Sequence, residues 1–162
     1  MGVDINIVLV EPEIPHNTGA IGRLCVGLGA RLHLVEPMGF FINDAYVRRC
    51  GLDYWPHLSL TVHRSWEAFA DAERPGDLVL FSTRGTRTLY DCAFRAGVYL
   101  VFGSESRGFP AALYERYASC LCRIPMPGAH ARSINLANAA SVAAYEAYRQ
   151  IRNPEGGAAC DG

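Results

Sequence analysis

Three short runs, INIVLV at 5–10, LVLFS at 78–82 and YLVF at 99–102, are apolar at nearly every position instead of at every second one. A strand with one wet face alternates, so runs of Val, Ile, Leu and Phe that end at Glu11-Pro12, Thr83-Arg84 and Gly103 read as strands covered on both faces. Helices laid on either side of a parallel sheet provide that cover. The intervening segments supply the helices. Ile21, Leu24, Cys25 and Leu28 fall at helical spacing between an N-cap offered by Asn17 or Thr18 and a closing Gly29. Ser65 caps 66–72, Pro110 stands at the start of 111–117, and the alanine-rich stretch 133–151 is one long helix with Ser133 as its N-cap. Segment 44–51 reads as a short helix, and 31–36, 58–62 and 120–124 as further strands. The expected fold class is α/β, a parallel sheet with helices on both sides. With 162 residues, 50% of them hydrophobic, the chain fills one core: a single domain over 1–152 and a glycine- and alanine-rich tail over 153–162.

In such sheets ligands bind beyond the carboxyl ends of the strands. Three loops leave those ends with unusual chemistry: STRGTR at 82–87, GSESRG at 103–108 and PMPGAHARS at 125–133. Gly103 and Gly108 allow backbone to approach a ligand closely. The loop matches neither a Walker phosphate loop nor the dinucleotide fingerprint, and no GxGxxG follows the first strand, which weakens a nicotinamide- or flavin-enzyme reading. A net charge of −1 excludes a strongly basic nucleic-acid footprint, so any RNA must be held locally. All 15 basic side chains are arginine, which forks onto phosphate better than lysine, although a compositional bias of the genome is the plainer cause. Arg48, Arg49, Arg84 and Arg87 are the candidate RNA contacts, each with the alternative of a solvated surface arginine. No apolar stretch approaches the roughly 20 residues needed to cross a bilayer, and no basic segment precedes an apolar one at the start. A soluble cytoplasmic protein is expected, with no membrane partner. Six cysteines without a CxxC pair or a histidine at finger spacing argue for reduced thiols and no metal; Cys120 and Cys122 would share one face of a strand.

EPEIPHNTGAIGR at 11–23, FGSESRGFP at 102–110, and RIPM at 123–126 with RSINLANAASVAAYEA at 132–147 resemble the three motifs of the SPOUT superfamily of RNA methyltransferases. LHLVEPMGF at 32–40 and RRCGLDYW at 48–55 extend the likeness to its single-domain tRNA (cytidine/uridine) 2′-O-methyltransferase branch, which acts at the wobble nucleotide. The resemblance implies a parallel-sheet α/β fold with a C-terminal trefoil knot. It also implies S-adenosylmethionine as methyl donor, tRNA as substrate, and a homodimer. Asn17, Arg23, Glu105, Ser133 and Asn135 match motif positions and would be the catalytic set; Phe81, Gly103, Ile124 and Ser133 would hold the donor; Arg107 and Arg132 would add phosphate contacts. Before Arg132 the loop PGAHARS is one residue longer than in its relatives, so the exact contacts of the stretch from Gly128 to Ala131 do not carry over, while the motif itself does.

A ribose 2′-hydroxyl that attacks a sulfonium methyl needs in-line placement, a weakened O–H bond and relief of nearby phosphate charge, but no metal. A guanidinium hardly ever loses its proton, so Arg23 is read as lowering the hydroxyl's pKa and clamping a phosphate; the alternative is a surface ion pair with Glu11 or Glu13. Asn17 and Ser133 are equally good helix caps, and Asn135 offers a donor and an acceptor to the ribose. His16, beside the motif asparagine, is read as a loop residue. Small residues Ala137, Ala140, Ser141 and Ala144 form a stripe that lets a second backbone come close, within the chain or in a partner. Two further readings stay open: a donor- or RNA-binding module without catalysis, and 2′-O-methylation of another tRNA or rRNA ribose.

Overall fold

The computed structural model describes residues 3–42 and 53–153. The expected helix at 44–51, with Arg48 and Arg49, lies outside the described residues, as does the tail beyond Asn153. Strands β1 (Ile5–Val10), β2 (Arg31–Val35), β3 (Ser59–His63), β4 (Leu78–Phe81), β5 (Arg87–Thr88), β6 (Val98–Phe102) and β7 (Leu121–Arg123) form one sheet in the order β3-β2-β1-β6-β4-β7-β5. Every pairing is parallel. The helices are α1 (Pro15–Leu28), α2 (Trp66–Glu73), α3 (Ala111–Arg116) and α4 (Leu136–Arg152).

Burial on both faces explains the continuous apolar runs. Along β1, Ile5, Ile7 and Leu9 join a core with Ile21, Cys25 and Leu28 of α1 and Ala140, Ala143, Ala144 and Ala147 of α4. Val8 and Val10 point the other way, into a second core with Trp66 and Phe69 of α2 and Leu113 of α3. Of the small-residue stripe expected on the last helix, Ala140 and Ala144 are fully buried inside the chain, where α1 and α4 pack together over the sheet, while Ala137 and Ser141 are only partly buried.

Helix starts depart from the sequence reading in an instructive way. α1 begins at Pro15 with Ile14 as N-cap, not at Asn17 or Thr18. Proline in the first turn pre-sets the backbone angle, and a carboxylate from a distant loop replaces the local cap. α4 begins at Leu136 with Asn135 as its cap, not Ser133, because the Asn135 carboxamide accepts from the amides of Ala137 and Asn138. Ser65 does cap α2, accepting from the Ala68 amide at 3.1 Å. Ser65→Ala should cost about 1 kcal/mol, a fall of roughly 2–4 °C in melting temperature, readable by thermal denaturation.

Cys120 and Cys122 do not share a face. Cys120 ends a 3₁₀ turn, Ala118–Cys120, and packs toward α2 and α3, while Cys122 lies in the opposite core. There the Cys92 and Cys122 sulfurs are 2.9 Å apart as free thiols, and burial pushes the Cys122 pKa up. Among the described residues no helix is long and apolar enough to cross a membrane.

Candidate functional site

The carboxyl ends of β4, β6 and β7 open into a cleft of about 580 Å³, within the size range of small-molecule sites. Its floor is apolar: Phe81 and Phe102 end neighbouring strands with their rings stacked, centroids 5.1 Å apart, and Ile124 and Leu136 close the sides. Its walls are the three loops expected to converge, at 82–84, 103–108 and 132–135, together with the start of α1.

Hydrogen bonds tie these walls together. Glu105 Oε2 accepts from the Glu13 amide at 2.8 Å, and Oε1 accepts from the Ile14 amide and from Asn17 Nδ2, each at 3.1 Å. The two loops exchange carboxylates: Glu13 in turn accepts from the Ser106 hydroxyl at 2.8 Å and the Ser106 amide at 3.0 Å. Those hydrogen bonds, with Arg107 close by, hold the Glu13 carboxyl below the usual carboxylate range. Asn17, 4% exposed, continues the chain by accepting from Asn135 Nδ2 at 2.9 Å. Asn135 Oδ1 then caps α4. The helix dipole explains the placement of Glu105, since a carboxylate at a helix N-terminus satisfies amides that lack intrahelical partners.

Glu105, Asn17 and Asn135 thus spend their polar groups on one another and on the backbone. They position the cleft's walls, and Asn135 has its donor and its acceptor both engaged within the chain. Glu105→Gln turns one accepting oxygen into an NH₂ that faces donors; loss of the charged acceptor should destabilise the chain by about 1–3 kcal/mol, measured as a shift in the denaturant midpoint.

Of the residues singled out in the sequence, Asn17, Phe81, Arg84, Gly103, Glu105, Arg107, Ile124, Arg132, Ser133 and Asn135 all line this cleft. Arg84 lies over the Tyr114 ring, 4.3 Å from its centroid, and Arg107 reaches Glu13 at 3.7 Å. Arg87 is directed elsewhere, donating to the Ser119 carbonyl from the edge strand. Arg23 is not in the cleft lining of its own chain. It pairs with Asp53 at 3.8 Å, not with Glu11 or Glu13, and lies 5.1 Å from the centroid of the Tyr54 ring.

Tyr114 carries a role that the sequence reading missed. From α3 its hydroxyl meets Ser82 Oγ at 3.2 Å and accepts from the Phe109 amide at 3.4 Å, joining two loops. Gly108 makes room for it: its φ is +70°, and a Cβ there would lie 2.6 Å from the Tyr114 oxygen. Gly103 and Gly108 thus permit close packing within the protein, and both also line the cleft. A lone tyrosine in a short helix gives no signal of this kind before the loops are placed.

Against known proteins, the model of the SpoU rRNA methylase family matches residues 4–145. The chain belongs to this family. A relative from Burkholderia pseudomallei (strain 1106a), tRNA (cytidine(34)-2'-O)-methyltransferase, is 50% identical over 157 residues, which cover 94% of this chain and 99% of that one. A solved structure concerned with 2-OH methylation of C/U34 on tRNA superimposes with a TM-score of 0.83 at 49% identity, covering 90% of this chain and 95% of the other. The SpoU methyltransferase AviRb from Streptomyces viridochromogenes, solved in complex with the cofactor AdoMet, gives a TM-score of 0.75 at 26% identity over 93% of this chain and 62% of that one. The family membership and the parallel α/β sheet agree with the sequence-based expectation.

Proposed function

We propose that this SpoU methylase transfers a methyl group from S-adenosylmethionine to the ribose 2′-hydroxyl of the wobble cytidine or modified uridine of tRNA. The observation that carries the reading is one cleft built by all three motif segments, in a chain half identical along nearly its whole length to a relative of that named activity. The cleft fits the donor. The Phe81 and Phe102 floor with Ile124 and Leu136 suits a purine ring, and the polar groups of loops 103–108 and 132–135 suit a ribose and an amino-acid head. When bound, the donor supplies an electrophilic methyl group on a sulfonium.

The chain's own residues then place the nucleophile. Arg84, Arg107 and Arg132 gather positive charge at the cleft in a protein of net charge −1, which supports local capture of the RNA backbone. Arg23 keeps its proton; its charge stabilises the developing alkoxide and holds the adjacent phosphate, while the hydroxyl proton leaves to phosphate or water. We take the working protein to be a cytoplasmic homodimer. Val142 and Tyr145 leave α4 41% and 56% exposed, an apolar surface on the helix that would face a partner. In this reading the return of α4 onto β1 and β6 is the threaded C-terminal segment of a trefoil knot.

Incubation with methyl-labelled S-adenosylmethionine and total tRNA, followed by nucleoside mapping, should place label on the wobble ribose. Absence of a 2′-O-methylated product with any tRNA would leave a binding module without catalysis as the correct reading.

A further inference from the structure

Toward the opposite edge of the sheet from the cleft, three side chains with metal-ligand chemistry converge on the face that carries α2. They are His33 in β2, His63 at the end of β3 and Glu73 at the end of α2, with side chains 2%, 6% and 22% exposed. His33 Nδ1 lies 3.2 Å from His63 Nε2, and Glu73 Oε1 lies 3.7 Å from the first and 3.9 Å from the second. The imidazole planes are 24° apart with centroids 5.4 Å apart, and the nitrogens that face each other are the His33 Nδ1 and His63 Nε2 pair. A point equidistant from the three atoms lies about 2.1 Å from each, the length of a zinc bond to imidazole nitrogen or carboxylate oxygen.

The surroundings orient these groups as ligands. Asn6 Nδ2 donates to the Val98 carbonyl at 3.3 Å, which turns its Oδ1 toward His33 Nε2 at 3.4 Å. That contact favours the His33 tautomer with its proton on Nε2, which leaves the Nδ1 lone pair for a metal. Tyr99 donates to Glu73 Oε2 at 3.3 Å, which leaves Oε1 for the gap. Outer hydrogen bonds of this kind are what hold metal-binding histidines and carboxylates in place. Two buried imidazoles this close are not charged together, so both are available as neutral ligands. A hydrogen-bonded histidine pair explains one of the three approaches and leaves Glu73 Oε1 beyond hydrogen-bonding reach of both rings.

We propose that His33, His63 and Glu73 bind one first-row divalent cation of the zinc class, with water completing the coordination where Glu73 reaches solvent. Two nitrogens and one oxygen match that class and not magnesium or calcium, which take all-oxygen sets. The ion staples β3, the edge strand, and the end of α2 to β2. It lies apart from the methyl-transfer cleft.

The full chain, stripped with a chelator and dialysed, is titrated with Co²⁺ alone and followed by visible absorption, then with Zn²⁺ in a thermal melt. The expected result is one Co²⁺ per chain with nitrogen and oxygen ligation, displacement by Zn²⁺, and a higher melting temperature with Zn²⁺. Glu73→Gln, at a partly exposed helix end, should fold and weaken binding at least ~10-fold; His63→Gln should abolish it. No binding at millimolar metal overturns the proposal. So does binding of equal strength in both variants, or sulfur-to-cobalt charge-transfer bands that place the ion on the cysteines.

Discussion

Gly103→Ala is expected to abolish measurable donor binding at the cleft and to lower the melting temperature by roughly 6–12 °C. Gly103 is the first residue beyond β6. A Cβ there would lie 2.4 Å from the carbonyl carbon of Gly108 and 2.7 Å from both the Gly108 oxygen and the Phe109 nitrogen. A flexible side chain could turn aside, but these are backbone atoms, held by paired hydrogen bonds between Ser104 and Gly108 at 3.0 and 2.9 Å. Overpacking of this kind costs up to about 3 kcal/mol, occasionally more, and rigid neighbours put it at the upper end. The loop cannot move alone, because Glu105 binds the start of α1 and Asn17, and Asn17 binds the residue that caps α4. One methyl group thus displaces three walls of the cleft. Equilibrium binding of S-adenosylmethionine and a thermal melt read the two effects. Gly76→Ala, whose Cβ would meet nothing within 4 Å, is the near-neutral control. Wild-type donor affinity in Gly103→Ala would show that the loop's tight turn has no part in the site.

The same network explains what could be read from the chain in advance. β1, β4 and β6 were legible because burial on both faces writes itself as unbroken apolar runs. β5 was not, since Arg87 and Thr88 have no apolar pattern and become a strand only by pairing with β7. Ser65 was correctly legible as a cap because its partner amide is three residues away. The start of α1 was misread because the amides of Glu13 and Ile14 just ahead of it find a carboxylate 92 and 91 residues along the chain, and no local rule sees that far. Glu105, Asn17 and Asn135 were recognisable as motif residues, yet that they satisfy one another follows only from the fold. His33, His63 and Glu73 carried no signal singly: each sits in an ordinary strand or helix pattern, and the parallel register of β2 with β3 brings the two imidazoles together.

Arg23→Ala should lower the rate of methyl transfer by on the order of 10²–10³, the cost of removing one charge-stabilising group from a transition state, at unchanged donor affinity. The side chain is free to serve an RNA phosphate: it is 71% exposed, and its pair with Asp53 spans 3.8 Å in water, where such pairs are worth little. Its position raises a sharper expectation. Arg23 is absent from the lining of its own chain's cleft, so in a homodimer the partner's cleft is the one it would serve. Arg23→Ala chains have an intact cleft and lack the arginine; Gly103→Ala chains keep the arginine and lack the cleft. The Arg23→Ala homodimer should be slowed by on the order of 10²–10³ and the Gly103→Ala homodimer inactive, whereas co-refolded or co-expressed chains, assayed below the melting temperature of Gly103→Ala, should regain transfer. A mixed dimer then holds one complete site assembled from two chains. If Arg23 serves its own cleft instead, no mixed dimer contains a complete site and the mixture stays silent. Full activity of Arg23→Ala by itself would remove the arginine from the chemistry altogether. Recovery in the mixture has a single source, because neither chain carries both halves.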